Sequence, residues 1–120
     1  MVTQVTSLGR SGVSDWLIQR VSAVVLAVYT LFIVGYLLFQ DVDYAQWRAL
    51  FDQTWVQVFT LLALLSTCAH AWIGMWTVGT DYLREHTVGR SASTWRLLYE
   101  VVCTLVLFGY LIWGALILWA

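Results

Sequence analysis

The chain has 120 residues, of which 61% are hydrophobic and 11% are charged, and its formal net charge is −1. Soluble globular domains have roughly 45–50% apolar and about 25% charged residues. The polar side chains are therefore too few to cover a water-facing surface, which excludes an ordinary soluble domain, a disordered chain and an enzyme with a large soluble cleft. No basic run indicates a nucleic-acid surface, so no nucleic acid is expected as a partner. At this length we expect a single domain, residues 1–120.

The hydrophobic residues form three segments. The first, Val21–Phe39, contains no charge; the second, Trp55–Val78, contains His70; the third, Leu97–Trp119, contains Glu100 near its start. A transmembrane helix needs about 20 mostly apolar residues, whereas a helix of a soluble bundle would show a polar face. The sequence therefore predicts an all-α integral membrane protein with three transmembrane helices. The helices are expected at about residues 16–39, 55–80 and 95–119.

Tryptophans near the segment ends support the membrane prediction, because indole rings favour the headgroup level of a bilayer. They are Trp16, Trp47, Trp55, Trp76, Trp95 and Trp119. The arginines predict the orientation. Five of the six precede the first segment or lie between the second and third, and only Arg48 lies in the first loop. The positive-inside rule then places the N-terminus and the second loop in the cytoplasm and the C-terminus outside, and in an organelle the equivalent inner side would be the matrix.

His70 is the ionisable side chain of the second segment, about eight residues from its predicted cytoplasmic end. Ionisable groups at this depth are costly and usually face the interior of a helix bundle. Two interpretations remain open. The imidazole is either hydrogen-bonded to a neighbouring helix or an axial ligand of a haem iron through one ring nitrogen.

His70 belongs to a helical stripe made mostly of small residues. Its members follow each other at spacings of 4, 3, 4, 3 and 4, which places them on one helix face. The stripe consists of Ala63, Thr67, His70, Gly74, Thr77 and Asp81. Small residues allow close helix approach in a membrane, or leave room for a flat macrocycle. The other histidine, His86, falls in the second loop, so a haem with two histidine ligands would need its second ligand from a partner protein.

Arg20, Asp81 and Tyr82 are further candidates at the predicted cytoplasmic end. Arg20 suits a haem propionate, since guanidinium groups bind carboxylates, and it equally suits a headgroup anchor. The Tyr82 hydroxyl can donate a hydrogen bond to a quinone carbonyl. Asp81 and Tyr82 equally fit an acid at a helix end beside a tyrosine at the membrane interface. Arg96 and Glu100, one turn apart on the third helix, are expected to form an interfacial ion pair.

Several segments together resemble the hydrophobic membrane-anchor subunit of bacterial succinate dehydrogenase, respiratory complex II. They are His70–Trp76, Thr80–Tyr82, Leu8–Val13 with Asp15 and Arg20, and Val58–Leu64. The resemblance covers nearly the whole chain and matches its length and three-helix plan.

The resemblance implies a role in a complex. In that family, the anchor protein pairs with a second three-helix anchor protein in a heterodimeric helix bundle. This bundle holds an iron–sulfur subunit and a flavoprotein subunit at the cytoplasmic face of the bacterial inner membrane. Electrons from succinate pass through flavin and iron–sulfur clusters to ubiquinone, and one haem b lies between the two anchor proteins. The chain is then non-catalytic alone and part of a succinate:quinone oxidoreductase.

The same resemblance assigns residues. His70 matches the family's haem iron ligand, and Arg20 matches an arginine near the haem propionates. Tyr82 matches the tyrosine that hydrogen-bonds the quinone, and Asp81 matches its acidic neighbour. Two features depart from the pattern: Ser14 stands where the family has a histidine near the propionates, and the second loop, 83–94, is longer than in close relatives.

Three alternatives remain on sequence grounds. A fumarate reductase anchor would use menaquinone and, in its haem-free form, would not need His70. A small proton-coupled transporter subunit would use His70 and Glu100 as proton-carrying groups. A structural assembly factor would use His70 for packing alone.

Overall fold

The computed structural model describes residues 12–84, 86 and 89–120. Within this part the chain is helical and contains no strand. Its elements are α1 (Gly12–Phe39), α2 (Tyr44–Phe51), α3 (Thr54–Tyr82), a 3₁₀ turn (Gly89–Ser91) and α4 (Ala92–Leu118). Arg10 and the motif residues before Gly12 lie outside the described residues.

The three long helices form an elongated antiparallel bundle of 56 × 26 × 22 Å with α3 in the middle. The early part of α1 meets the later part of α3 at Gln19 and His70. The end of α1 meets the start of α3 where the rings of Phe32 and Trp55 lie 5.5 Å apart. The helix α4 packs on another side of α3, so α3 carries most of the internal contacts.

An aromatic cluster joins α1 to α3 near one end of the bundle. The rings of Tyr29 and Phe59 meet edge to face at 5.0 Å, and Phe32 lies 5.7 Å from Phe59. The Tyr29 hydroxyl also lies 2.8 Å from the hydroxyl of Thr60. Aromatic pairs of this kind contribute about 0.5–1.5 kcal/mol each beyond buried area. The cluster therefore fixes the register in which α1 lies against α3.

Glycines bring α3 and α4 close together. A Cβ atom on Gly79 would lie 3.1 Å from the ring of Tyr99, and one on Gly114 would lie 3.0 Å from the side chain of Leu64. Small residues at such crossings allow the dispersion contacts that hold membrane helices together. The two contacts lie near opposite ends of α4, which confirms that α3 and α4 run antiparallel.

The outer surface of the bundle is apolar over its whole length. Large hydrophobic side chains point outward on every long helix, among them Leu31 at 73% exposure and Leu105 at 66%. Three spans in the described part are long and apolar enough to cross a membrane: Gly12–Phe39, Thr54–Tyr82 and Gly89–Leu118. Such a surface is stable in lipid and unstable in water. The predicted all-α membrane fold with three transmembrane helices is confirmed.

The short helix α2 was not predicted from the sequence. It starts with a capping box: Asp43 accepts a hydrogen bond from the Gln46 amide at 2.8 Å, and the Gln46 side chain accepts one from the Asp43 amide at 3.1 Å. Arg48 lies 3.9 Å from Asp52 and donates to the main-chain oxygen of Ala120. The contact with Ala120 places α2 at the same end of the bundle as the end of α4.

Candidate functional site

His70 lies on the side of α3 that meets α1, about midway along the bundle, and its ring is half-buried. Its Nδ1 atom lies 3.0 Å from the hydroxyl of Ser22, and its Nε2 atom lies 3.3 Å from the amide nitrogen of Gln19. Both contacts come from α1, one turn apart. The imidazole is thus held between two helices of the same chain.

With the Gln19 amide nitrogen facing Nε2, the contacts favour the tautomer that carries the hydrogen on Nδ1. The Ser22 hydroxyl donates its single hydrogen to the carbonyl oxygen of Gln19 at 3.1 Å. It therefore accepts from Nδ1–H of His70. In that tautomer Nε2 has a lone pair, to which the Gln19 amide N–H can donate. Nε2 is the atom available to a metal ion.

Gln19 is only partly satisfied. Its side-chain oxygen Oε1 is buried and has no hydrogen-bond partner among the described residues. An unpaired buried acceptor costs about 1–3 kcal/mol. This cost favours movement of the Gln19 amide away from Nε2 when another group binds His70.

The predicted stripe around His70 is mostly uncovered. Ala63 is buried, whereas Thr67 and Thr77 are exposed and donate their hydroxyls to carbonyls of α3 itself, at 2.9 and 3.0 Å. A Cβ atom on Gly74, one turn after His70, would meet nothing within 4 Å. Beside His70 the face thus presents methyl groups and a glycine, with open space in front of it.

Arg20 follows Gln19 on α1 and is exposed. Its guanidinium carbon lies 5.4 Å from the centre of the Trp16 ring, a cation–π contact one turn away on the same helix. The charged group therefore extends from near the level of His70 toward the end of the bundle where α1 begins. This is also the end at which α3 terminates.

Asp81 and Tyr82 are the last two residues of α3. The sequence had suggested that the helix ends at about residue 80, just before them. Both are exposed, and 67% of Tyr82 is accessible. Tyr82 lies 12 residues beyond His70 on a continuous helix, which is about 18 Å along the axis. The structure therefore separates a mid-span site at His70 from an end site at Tyr82.

A groove of about 340 Å³ opens at the same end of the bundle, between α3 and α4. It is lined by Trp76, Thr80, Ser93, Arg96, Leu97 and Glu100. In the described part of the chain no ion pair joins Arg96 to Glu100, so the predicted pair is absent there. Both side chains contribute to the wall of the groove.

Ser22 and Gln19 were missed as site residues. They are polar groups spaced three apart at the start of an apolar helix, and that spacing was the available signal. Among residues 12–84, 86 and 89–120, no group of three His, Cys, Asp or Glu side chains is placed to hold a metal ion.

Comparisons with known proteins place the chain in a family. Residues 2–109 match the family described as succinate dehydrogenase/fumarate reductase transmembrane subunit. The chain is 38% identical to the succinate dehydrogenase hydrophobic membrane anchor subunit of Coxiella burnetii over 111 residues, 92% of this chain and 90% of that protein. It is 26% identical to the protein of the same name from Rickettsia typhi, over 89% of this chain and 84% of the relative.

These similarities and the three apolar helices confirm the resemblance seen in the sequence. The chain belongs to the succinate dehydrogenase/fumarate reductase transmembrane subunit family, as a membrane anchor subunit of succinate dehydrogenase.

Proposed function

We propose that this anchor subunit binds haem b through Nε2 of His70 and supplies Tyr82 and Asp81 to a ubiquinone-reduction site. The observation that carries the proposal is the geometry of His70. Its Nδ1–H is bonded to Ser22, its Nε2 has a lone pair, and the α3 face beside it is open at Gly74. Metal-bound histidines typically donate their other ring N–H to an oxygen in this way.

The α3 face beside His70 and the side chain of Arg20 would also suit a haem. The open face at Thr67, Gly74 and Thr77 leaves room beside the imidazole once the Gln19 amide rotates away from Nε2. Arg20, on the adjoining part of α1, would hold a propionate through its guanidinium group. When bound, the haem supplies one-electron redox chemistry, and the protein sets its ligands and dielectric surroundings.

In this proposal the haem site is completed by a second anchor protein. No other histidine lies within the three membrane-spanning segments of the sequence, and His86 is exposed beyond the end of α3. A second histidine ligand would therefore come from a three-helix partner. The uncovered α3 face is the surface across which that partner would share the haem.

The end of α3 would serve quinone reduction. Ubiquinone takes up two electrons and two protons to become ubiquinol, and negative charge develops on its oxygens during the reaction. The exposed Tyr82 hydroxyl would donate a hydrogen bond to one carbonyl oxygen, and such donors stabilise developing charge. The exposed carboxylate of Asp81 would orient that donor or assist proton supply. The electrons would arrive from an iron–sulfur subunit fed by the flavoprotein subunit.

The charge distribution supports docking of those soluble subunits at the same end. Arg20, Arg84, Arg90 and Arg96 belong to the end where α1 begins and α3 terminates, whereas Arg48 lies at the other. By the positive-inside rule the arginine-rich end is cytoplasmic and the end of α4 is periplasmic. The chain would thus cross the bacterial inner membrane with its N-terminus in the cytoplasm.

The test of haem ligation is the reduced-minus-oxidised optical spectrum of the purified complex. The native complex is expected to show a b-type band that His70→Ala abolishes, because the iron loses one axial ligand. His86→Ala is the matched control, since it removes an exposed histidine outside the proposed site, and it should leave the band unchanged. A native complex with no such band, or a His70→Ala complex with a normal one, would overturn the assignment.

Fumarate reductase chemistry with menaquinone is the second candidate, because the matched family includes fumarate reductase transmembrane subunits. The half-buried, hydrogen-bonded His70 favours a haem-containing anchor over a haem-free one. Family membership favours an anchor over a proton-coupled transporter subunit.

A further inference from the structure

We infer that Ser22 is the positioning residue for His70. Its hydroxyl holds the imidazole with the hydrogen on Nδ1, so that Nε2 presents its lone pair to the iron. The inference rests on the haem ligation proposed above and assigns a role to a residue of α1 in setting the redox properties of that site.

Ser22 has few alternatives to the bond with His70. The side chain is 4% exposed, so water does not compete for it. Its oxygen lies 3.1 Å from the carbonyl of Gln19, three residues earlier, and 3.0 Å from Nδ1 of His70. The carbonyl fixes the direction of the hydroxyl hydrogen, which leaves the oxygen lone pairs to accept from the ring. In this arrangement the α1 backbone favours the His70 tautomer with the hydrogen on Nδ1.

The two contacts to the ring play different roles. Gln19 meets Nε2, the nitrogen that the iron would use, so its amide must leave on binding. Ser22 meets the opposite nitrogen and can remain in place in both states. Ser22 is thus the group able to act on the ligand when the haem is bound.

A hydrogen bond from Nδ1–H makes the imidazole a more basic ligand and fixes the ring orientation. A more basic ligand stabilises the ferric iron relative to the ferrous iron. Loss of the Ser22 hydroxyl should therefore raise the midpoint potential of the haem. Removing such outer partners also lowers affinity for the bound metal group by about 10- to 100-fold.

The experiment compares the purified native complex with Ser22→Ala, Ser22→Thr and Ser66→Ala complexes. The readouts are the haem midpoint potential from a redox titration, the electron paramagnetic resonance spectrum of the ferric haem, and haem retention. Ser22→Ala is expected to raise the potential, alter the spectrum and weaken retention. Ser22→Thr keeps the hydroxyl and should restore native values. Ser66, also buried and one turn before His70, is the matched control, and its alanine variant should behave as native.

The outcomes separate this inference from the proposed function. A normal b-type band that depends on His70, together with native potential and spectrum in Ser22→Ala, would overturn the role of Ser22 alone. A complex without a b-type band would overturn the haem proposal itself. If Ser22→Ala does not assemble, Ser22→Cys fills the site with a slightly larger side chain that is a weaker acceptor. The Ser22→Cys complex should show a higher haem midpoint potential than the native complex. An unchanged midpoint potential would also refute the role of Ser22.

Discussion

At the scale of single residues, a histidine within a membrane span is costly unless its polar atoms are paired. His70 is paired by two side chains of α1, one on each ring nitrogen. Tyr82 and Asp81 are exposed at the end of α3. These two environments suit different tasks, a fixed ligand inside the bundle and an accessible hydrogen-bond donor at its end.

Tyr82→Phe removes the phenolic donor and keeps the ring. We expect it to slow ubiquinone reduction by the complex, because one stabilising hydrogen bond to the quinone oxygen is lost; loss of one such donor in enzymes costs about 10²–10³-fold in rate. Succinate oxidation with a soluble artificial acceptor should remain intact. Tyr44→Phe, an exposed tyrosine at the opposite end, is the matched control. Equal quinone rates in the native and Tyr82→Phe complexes would contradict the role of Tyr82.

His70, Asp81 and Tyr82 could be selected from the sequence because ionisable and aromatic groups stand out in apolar segments. The spacing of Gln19 and Ser22 was the one signal for these residues, and it does not show which face of α1 meets α3. Periodicity indicates that a helix has a face, but the partner of that face is decided by packing between elements distant in sequence. The assignments of His70, Arg20, Asp81 and Tyr82 to haem and quinone stay predictions.

At the scale of helices, length and hydropathy were sufficient to predict three spans, and the capping box at Asp43 and Gln46 was the unused signal for α2. The ends of the helices were harder to predict. The helix α1 begins at Gly12, before the expected residue 16, and α3 continues to Tyr82, past residue 80. Polar residues such as Asp15 and Asp81 lie inside helical turns at these ends, where hydropathy falls although the backbone hydrogen bonds continue.

Close approach of α3 and α4 at Gly79 gives a prediction at this scale. Gly79→Leu would force the rigid ring of Tyr99 out of its position, and overpacking of this kind costs about 1–3 kcal/mol. The complex should therefore lose thermal stability, measured as a lower Tm. Gly109→Leu on α4 is the matched control, because its Cβ would meet nothing within 4 Å. An equal loss of Tm in both variants would argue against a specific contact at Gly79.

At the scale of the whole molecule, the apolar composition is explained by an outer surface that faces lipid or partner proteins. The chain buries few side chains by itself, and its candidate sites lie at open faces and at one end. In the proposed function it would supply one side of each site, with partner proteins supplying the rest.

The arginine distribution predicts the orientation of the whole chain. Gln40 is exposed after α1, and Thr94 is exposed at the start of α4, at opposite ends of the bundle. A membrane-impermeant thiol reagent added to intact cells should label Gln40→Cys and not Thr94→Cys. With Cys68 and Cys103 replaced by serine, Thr94→Cys should react after permeabilisation and denaturation, which serves as the control for its reactivity. Labelling of Thr94→Cys alone in intact cells would show the opposite orientation.

The central claim is that His70 ligates the haem iron directly. Its most direct test is the electron paramagnetic resonance spectrum of the ferric haem in a His70→Met complex, together with the midpoint potential. Methionine can replace histidine as an axial ligand and raises the potential. The account predicts a retained haem with an altered spectrum and a higher potential. A His70→Met complex whose haem spectrum and potential match those of the native complex would contradict it.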